Sequence, residues 1–258
     1  MKIRLVKNGI FPLLRGLDGN LLDSSPNTGY PLAGTIQGEG KLAGIPVIFI
    51  RTAGCNLRCS WIDDLGRVDI CDTPYSSHNV YDTEDWEVED VVRMVELNLG
   101  NMKHVVISGG EPTIQPAPLV NLVNNLKKKL GVHISIETNG VHYVPEITWK
   151  VDFFSISPKL KSSEPSEKKN KLIEQPVDDH YIRDHAHLRR NTHTIQKYIN
   201  ACYHMESYYG DSPDTELTRR DSKDFQLKFV IAREEDEKEI KKDFLSKLGL
   251  FRNEDILV

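Results

Sequence analysis

Residues 46–75 read PVIFIRTAGCNLRCSWIDDLGRVDICDTPY. The stretch opens as a buried strand, PVIFIRTA (46–53), with β-branched and aromatic residues running almost unbroken by polar ones. It then becomes a polar loop holding Cys55, Cys59 and Cys71, three of the chain's four cysteines within 17 residues. Metal-grade side chains just past the carboxyl end of a strand are characteristic of parallel α/β proteins, whose sites form there.

Working outward, the same arrangement recurs. HVVISG (104–109), HISIET (133–138), DFFSIS (152–157), FQLKFVIA (225–232) and DILV (255–258) read as further buried strands. Helical periodicities lie between them. Residues 84–99 set Trp86, Val91, Val95 and Leu99 on one side after a Thr83 cap. Residues 117–130 carry Leu119, Leu122, Val123, Leu126 and Leu130 and stop at Gly131, and residues 235–248 carry Ile240, Phe244, Leu245 and Leu248. Strand, helix, strand in repetition predicts an α/β fold with a largely parallel sheet of about six strands. The unusual residues cluster at strand ends: RTAGC, SGGEP, ETNG and SPK. Two stretches break the rhythm. Residues 11–34, rich in Gly, Pro, Asn and Ser, read as loop, and the polar residues 160–190 read as a solvated surface insertion rather than a functional lid.

The 258 residues carry a formal net charge of −5, with 39% hydrophobic and 28% charged residues, an ordinary soluble composition. No apolar run approaches membrane-spanning length. The start, MKIRLVKNGIFPLL, lacks the sustained apolar core and cleavage site of a signal peptide. A cytoplasmic protein without membrane or nucleic-acid partners is expected, and its cysteines are not expected to form disulfides. Cys202, in HTIQKYINACYHM, reads as a buried apolar residue of a helix.

The other three cysteines need their own account. A zinc site favours four ligands in paired short spacings, and His78 is the nearest fourth donor. Asn56, Arg58, Asp63, Asp64 and Arg67 make the loop too polar for core. An iron–sulfur cluster suits the set better, because a cubane on three thiolates leaves one iron open to a substrate or cofactor. GCNLRCSW followed by CDT resembles the radical S-adenosylmethionine (SAM) superfamily, whose usual loop is C-x3-C-x2-C with an aromatic before the last cysteine. Trp61 occupies the aromatic place, but nine residues, IDDLGRVDI, separate it from Cys71. Read as a flexible insertion, they cost only ~0.6 kcal/mol per doubling of loop length.

The remaining motifs have plain readings beside functional ones. SGGEP (108–112) is either a tight turn or a backbone approach to a ligand, with Glu111 offering a carboxylate to an ammonium group. ETNG (137–140) is a turn sequence. SPK (157–159) is a surface lysine at a strand end, or a hydroxyl and cation for a carboxylate. In GTIQGEG (34–40), Gln37 and Glu39 can bond a heterocycle edge, and Arg51 can pair bidentately with a carboxylate.

Together TIQGEG, the cysteine loop ending in CDT, SGGEP, ETNG, SPK and LKFV resemble the 7-carboxy-7-deazaguanine synthase family over about residues 33–258. That resemblance implies conversion of 6-carboxy-5,6,7,8-tetrahydropterin to 7-carboxy-7-deazaguanine with loss of ammonia, in the 7-deazapurine route to queuosine. It implies a [4Fe–4S] cluster on Cys55, Cys59 and Cys71, and SAM held by Gly110, Glu111, Ser157, Pro158 and Lys159 with Glu137 at its ribose. It places Ile36, Gln37, Gly38, Glu39, Arg51 and Ser108 around the pterin, and the Thr73 hydroxyl on Mg²⁺. It further implies an incomplete TIM-like (β/α) barrel, a single radical SAM domain over 1–258, a homodimer, and an electron donor such as flavodoxin or ferredoxin. The family usually continues past its last strand into a Met-Pro segment, whereas this sequence ends at DILV. A glycyl-radical activase shares the cysteine loop and GGEP but is not expected to carry TIQGEG. A non-catalytic zinc module is the other rival.

Overall fold

The computed structural model describes residues 1–23, 35–63, 65–78, 80–174, 176–203 and 218–258. Residues 24–34 of the Gly/Pro-rich stretch, Gly34 of GTIQGEG, Asp64, Gln175 of the polar insertion and the His-Met after Tyr203 lie outside them.

The strands are β1 Lys2–Phe11, β2 Thr35–Ile36, β3 Pro46–Thr52, β4 Ser60–Ile62, β5 Val68–Ile70, β6 Thr83–Glu87, β7 His104–Gly109, β8 His133–Thr138, β9 Phe153–Ile156, β10 Asp224–Lys228 and β11 Ile256–Leu257. The helices are α1 Pro74–Ser77, α2 Val88–Leu99, α3 Pro116–Asn125, α4 Glu167–Asn170, α5 Asp179–Leu188, α6 Thr192–Ala201 and α7 Glu234–Glu239. Wider π turns extend α3 over Leu126–Leu130 and α7 over Ile240–Phe244.

The six strands expected from the sequence form one parallel run, β3-β7-β8-β9-β10-β11. The run does not close on itself: β1 and β6 extend it antiparallel beyond β3 and β11 ends the other side, giving an incomplete TIM-like barrel. Its interior and helix-facing side chains form one apolar cluster, in which Ile48, Ile50, Val105, Ile107, Ile134, Ile136 and Phe154 meet Val91, Val95, Leu119, Leu122 and Ile195. Cys202 is buried at the end of α6, as expected. Among the described residues, no helix is long and apolar enough to cross a membrane.

Three readings need correction. The first helix starts at Val88, not 84, and Thr83 opens a strand rather than capping a helix. Residues 83–87 are drawn into the sheet by β1, pairing Trp86 with Ile3 and Asp85 with Arg4, whose side chains form an ion pair. β1 itself escaped notice because its alternation is broken. Asn8 has a φ of 56° and the register against β3 shifts between Leu5 and Ile10, so the apolar residues do not keep one period. β10 stops at Lys228, leaving Val230 and Ile231 exposed, because its last neighbour, β11, offers only two paired residues.

Candidate active site

The long gap before Cys71 has a structural answer. Ser60–Ile62 and Val68–Ile70 pair as a hairpin, Ser60 with Ile70, Trp61 with Asp69 and Ile62 with Val68. The ladder continues one step outward, where the Cys71 N–H donates to the Cys59 carbonyl at 3.2 Å. Two cysteines twelve positions apart thus become cross-strand neighbours. The Asp63 carboxylate ties the turn, accepting from the N–H groups of Leu65 at 2.9 Å and Arg67 at 2.8 Å and from Arg67 Nε at 2.7 Å. These bonds, that from the Arg67 backbone foremost, hold its pKa below the usual carboxylate range. The insertion is therefore a folded element rather than a flexible loop.

All three thiols line a cavity of about 300 Å³ at the carboxyl ends of the strands, together with Gln37, Arg51, Thr73, Ser108, Gly110, Glu137, Ser157 and Lys159. Burial pushes the Cys55 thiol up to about 12 and the Cys59 thiol up to about 11, and each is raised further by a neighbouring cysteine. Among the described residues, the cavity-lining Arg51 has a buried Nε with no hydrogen-bond partner, and Asn56 Nδ2, Ser60 Oγ, Trp61 Nε1, His78 Nε2, Ser162 Oγ and His185 Nδ1 are buried without one in the cysteine loop and in the segments after α1 and β9. Each such atom costs about 1–3 kcal/mol unless something answers it. Among the described residues, no three His, Cys, Asp or Glu side chains converge closely enough for one metal ion. Three thiols on the wall of one cavity are the donor set a cubane takes, in which each sulfur binds its own iron.

SGGEP joins β7 to the cysteine loop. Gly109 has a φ of 142°, and a Cβ there would lie 2.2 Å from the Thr52 carbonyl oxygen; at Gly110 it would lie 2.2 Å from that of Gly54. The glycines let β7 and the cysteine loop touch, and Glu111 N–H donates to the Gly54 carbonyl at 2.8 Å. Glu111 is fully buried and absent from the cavity lining, and its carboxylate accepts from Thr113 N (3.0 Å) and Oγ1 (2.6 Å), Thr138 Oγ1 (2.8 Å) and Asn139 N (2.6 Å). It is a knot tying SGGEP to ETNG.

ETNG in turn grips the cysteine loop, since Asn139 Nδ2 donates to Asn56 Oδ1 at 2.7 Å. Glu137 accepts from Gln37 Nε2 at 3.1 Å on one oxygen and from Ser108 Oγ at 2.5 Å on the other. Residues that the resemblance divides between two ligands thus form one network. In SPK, Lys159 Nζ donates to Ser157 Oγ at 2.7 Å and both line the cavity, whereas Pro158 is buried outside it. Arg51 has its guanidinium 5.5 Å from the Phe11 ring and 5.6 Å from the Tyr75 ring. Gln37, Gly38 and Glu39 line the cavity; Ile36 is 57% exposed and does not. The Thr73 hydroxyl lies 3.5 Å from Cys71 Sγ.

Sequence reasoning missed several neighbours. Lys228 lines the cavity and is ion-paired with Glu39; its place at the end of β10, in LKFV, was the available signal. Asp72 and Asn139 stood inside quoted motifs. The polar insertion is not a solvated surface throughout: Lys169, His185 and Arg189 are buried, and His185 Nε2 lies 3.5 Å from Cys59 Sγ.

The sequence pattern of the Radical SAM superfamily matches residues 49–208, more than half of the chain and all three cysteines. The chain belongs to the radical SAM superfamily. Membership brings with it a [4Fe–4S] cluster and SAM, and the donor set around the cavity fits that cluster. Similar proteins include the 7-carboxy-7-deazaguanine synthase of Rhodopirellula baltica, 36% identical over 165 residues, which are 64% of this radical SAM chain and 54% of that protein. The enzyme of the same name from Halobacterium salinarum is 38% identical over 139 residues (51% and 45%), and that of Escherichia coli K12 is 34% identical over 146 (49% and 58%). The chain spans about half the length of the curated relatives it matches. A crystal structure of QueE from Escherichia coli covers 95% of this chain and 92% of its own with a TM-score of 0.47 at 20% identity, a likeness too distant to carry weight.

Proposed function

We propose that this chain is a 7-carboxy-7-deazaguanine synthase, converting 6-carboxy-5,6,7,8-tetrahydropterin to 7-carboxy-7-deazaguanine with release of ammonia. The observation that carries the reading is the meeting, in one cavity, of three thiols with Arg51 and the Gln37–Glu137–Ser108 network. A planar, polar, carboxylated heterocycle needs that combination: in-plane hydrogen-bond groups for its edge and a guanidinium for its carboxylate.

In this reading Cys55, Cys59 and Cys71 hold the cluster. The backbone at Gly110 and the Ser157–Lys159 pair hold the amino-acid end of SAM, with Lys159 opposite its carboxylate. Glu137 is shared, orienting Gln37 and Ser108 toward the pterin while facing the cofactor side. Thr73 and Asp72 offer oxygen donors to Mg²⁺, a hard ion that takes few protein ligands. The cluster and SAM supply the radical chemistry; the chain positions substrate and cofactor and keeps out water. We propose further that it works in the cytoplasm, as one domain and as a homodimer, with electrons from a flavodoxin or ferredoxin.

The test is an anaerobic assay of ammonia release. Release that requires the carboxylated pterin, SAM and a reductant is the expected result. SAM cleavage without pterin-dependent ammonia points to another radical SAM activity, and a colourless zinc protein ends the reading.

A further inference from the structure

The polar insertion between β9 and α6 reaches back onto the cysteine loop through three side chains. Lys169, on α4, donates from Nζ to the carbonyls of Ser60 at 2.5 Å, Ser162 at 2.8 Å and Glu164 at 2.6 Å, so it clamps the residue that follows Cys59. Tyr181, on α5, accepts from Arg58 Nη2 at 2.7 Å, and that guanidinium lies 3.9 Å from its ring centre. One turn on, His185 is 1% exposed with Nε2 3.5 Å from Cys59 Sγ. α5 is fixed in turn by Leu188, which joins the small apolar cluster of Leu57, Cys59 and Val141, and by Arg189, paired with Glu164 and Glu239 at 2.5 Å each.

The tautomer follows from the surroundings. His185 Nδ1 has no partner. A neutral imidazole has one N–H, and on Nδ1 it would be a buried orphan donor while two lone-pair atoms, Nε2 and a ligating sulfur, faced each other. Placing the hydrogen on Nε2 removes the orphan donor and gives the sulfur a hydrogen bond, leaving Nδ1 as an unpaired acceptor. We propose that His185 is a positioning residue that donates Nε2–H to the Cys59 thiolate and so raises the reduction potential of the cluster. The proposal rests on the reading of Cys59 as a cluster ligand. Hydrogen bonds to cluster sulfurs stabilise the reduced, more negative state. The insertion thus sets how readily the cluster accepts an electron, a role outside the substrate and SAM sites.

The test is an EPR-monitored redox titration of the anaerobic holoprotein without SAM, with iron and sulfide counted in the same samples. His185→Phe keeps much of the volume without a donor; His185→Gln keeps an amide donor. The phenylalanine variant is expected to hold about four irons per chain with its reduction equilibrium about tenfold less favourable, a fall of about 59 mV for a one-electron couple. The glutamine variant is expected to recover most of that shift. Full iron with an unchanged potential in the phenylalanine variant overturns the proposal, as does a glutamine variant shifted as far as phenylalanine. If only the phenylalanine variant loses iron, a glutamine potential near the parent's upholds the proposal. Iron loss in both makes His185 a ligand or a structural prop and overturns it. A parent protein without iron refutes the ligand reading of Cys59 itself, which separates the two failures.

Discussion

At the amino ends of the parallel strands, polar side chains answer one another; at the carboxyl ends of the same strands some do and others are left without a partner. His104, first residue of β7, has Nε2 2.7 Å from Ser135 Oγ and lies edge-on to His133 with ring centres 4.7 Å apart. Asp152, just before β9, accepts from the Ile134 N–H at 2.7 Å and from Lys127, and Lys223 donates to the carbonyls of Thr148 and Val151 at 2.7 and 2.6 Å. Among the described residues, His133 Nε2 alone is left over there, against seven orphaned buried atoms at and beyond the carboxyl ends. One end is a sealed seam that serves stability. The other retains buried thiols and the unanswered Arg51 Nε on the cavity wall, groups that a bound cluster and ligand would answer.

Glu111 also lies at the carboxyl end, and its carboxylate is satisfied four times over. Glu111→Ala leaves those donors without an acceptor and should cost about 4 kcal/mol, read as a lower urea midpoint at unchanged slope. A loss below about 1 kcal/mol would mean that SGGEP and ETNG are held together by something else.

Arg51→Lys is the opposite case, a carboxyl-end change that should spare stability. Its Nε has no protein partner to lose. Losing the planar fork should weaken pterin binding by roughly 1–3 kcal/mol, about 5- to 150-fold in KM. If KM holds and stability falls instead, Arg51 belongs to the scaffold.

The amino-end seam makes a pH prediction. Burial first, then His133, pulls the His104 pKa from 6.5 down to about 4, so the folded protein keeps it neutral where the unfolded chain protonates it. Between pH 6.5 and 4 the unfolded state binds the extra proton, so stability falls as pH falls through that window. Discounted for partial hydration, the share of His104 is about 1–2 kcal/mol. His104→Gln should flatten the loss between pH 7 and 4.5 in urea titrations, and identical slopes in parent and variant would remove His104 from the seam.

The smallest effect is expected at Thr73. Thr73→Ala should keep full iron and lose part of the response of turnover to added Mg²⁺ after chelation, while Thr73→Ser keeps most of it. An alanine variant with the parent's magnesium curve returns Thr73 to its local role, in which its carbonyl accepts from Ser76 Oγ at 2.9 Å and Ser77 Oγ at 3.1 Å.

The parallel strands were legible because each is a short apolar run followed by a motif, and both signals are local. β1 and β6 were not, since each is a strand only because the other is there: Arg4 with Asp85 and Ile3 with Trp86 are contacts across more than 80 positions. In the site, the cysteines and cavity residues stood at strand ends, where reading by position works. The burial of Glu111 was not legible, because an exposed and a wrapped carboxylate look alike in sequence. Lys169 and His185 had no signal at all. They sit in a charged segment whose burial depends on where the hairpin of Ser60–Ile70 stands.

That hairpin underlies the central claim, that pairing Ser60 with Ile70 turns a long gap into a cross-strand pair and makes Cys71 the third ligand. The most direct measurement is iron and sulfide per chain in anaerobically purified Cys71→Ala, beside Cys202→Ala as the control with a buried thiol remote from the cavity. The account predicts that Cys71→Ala lacks the four-iron cluster and all pterin-dependent ammonia release, while the control keeps both. A Cys71→Ala protein with a full, active cluster would contradict it.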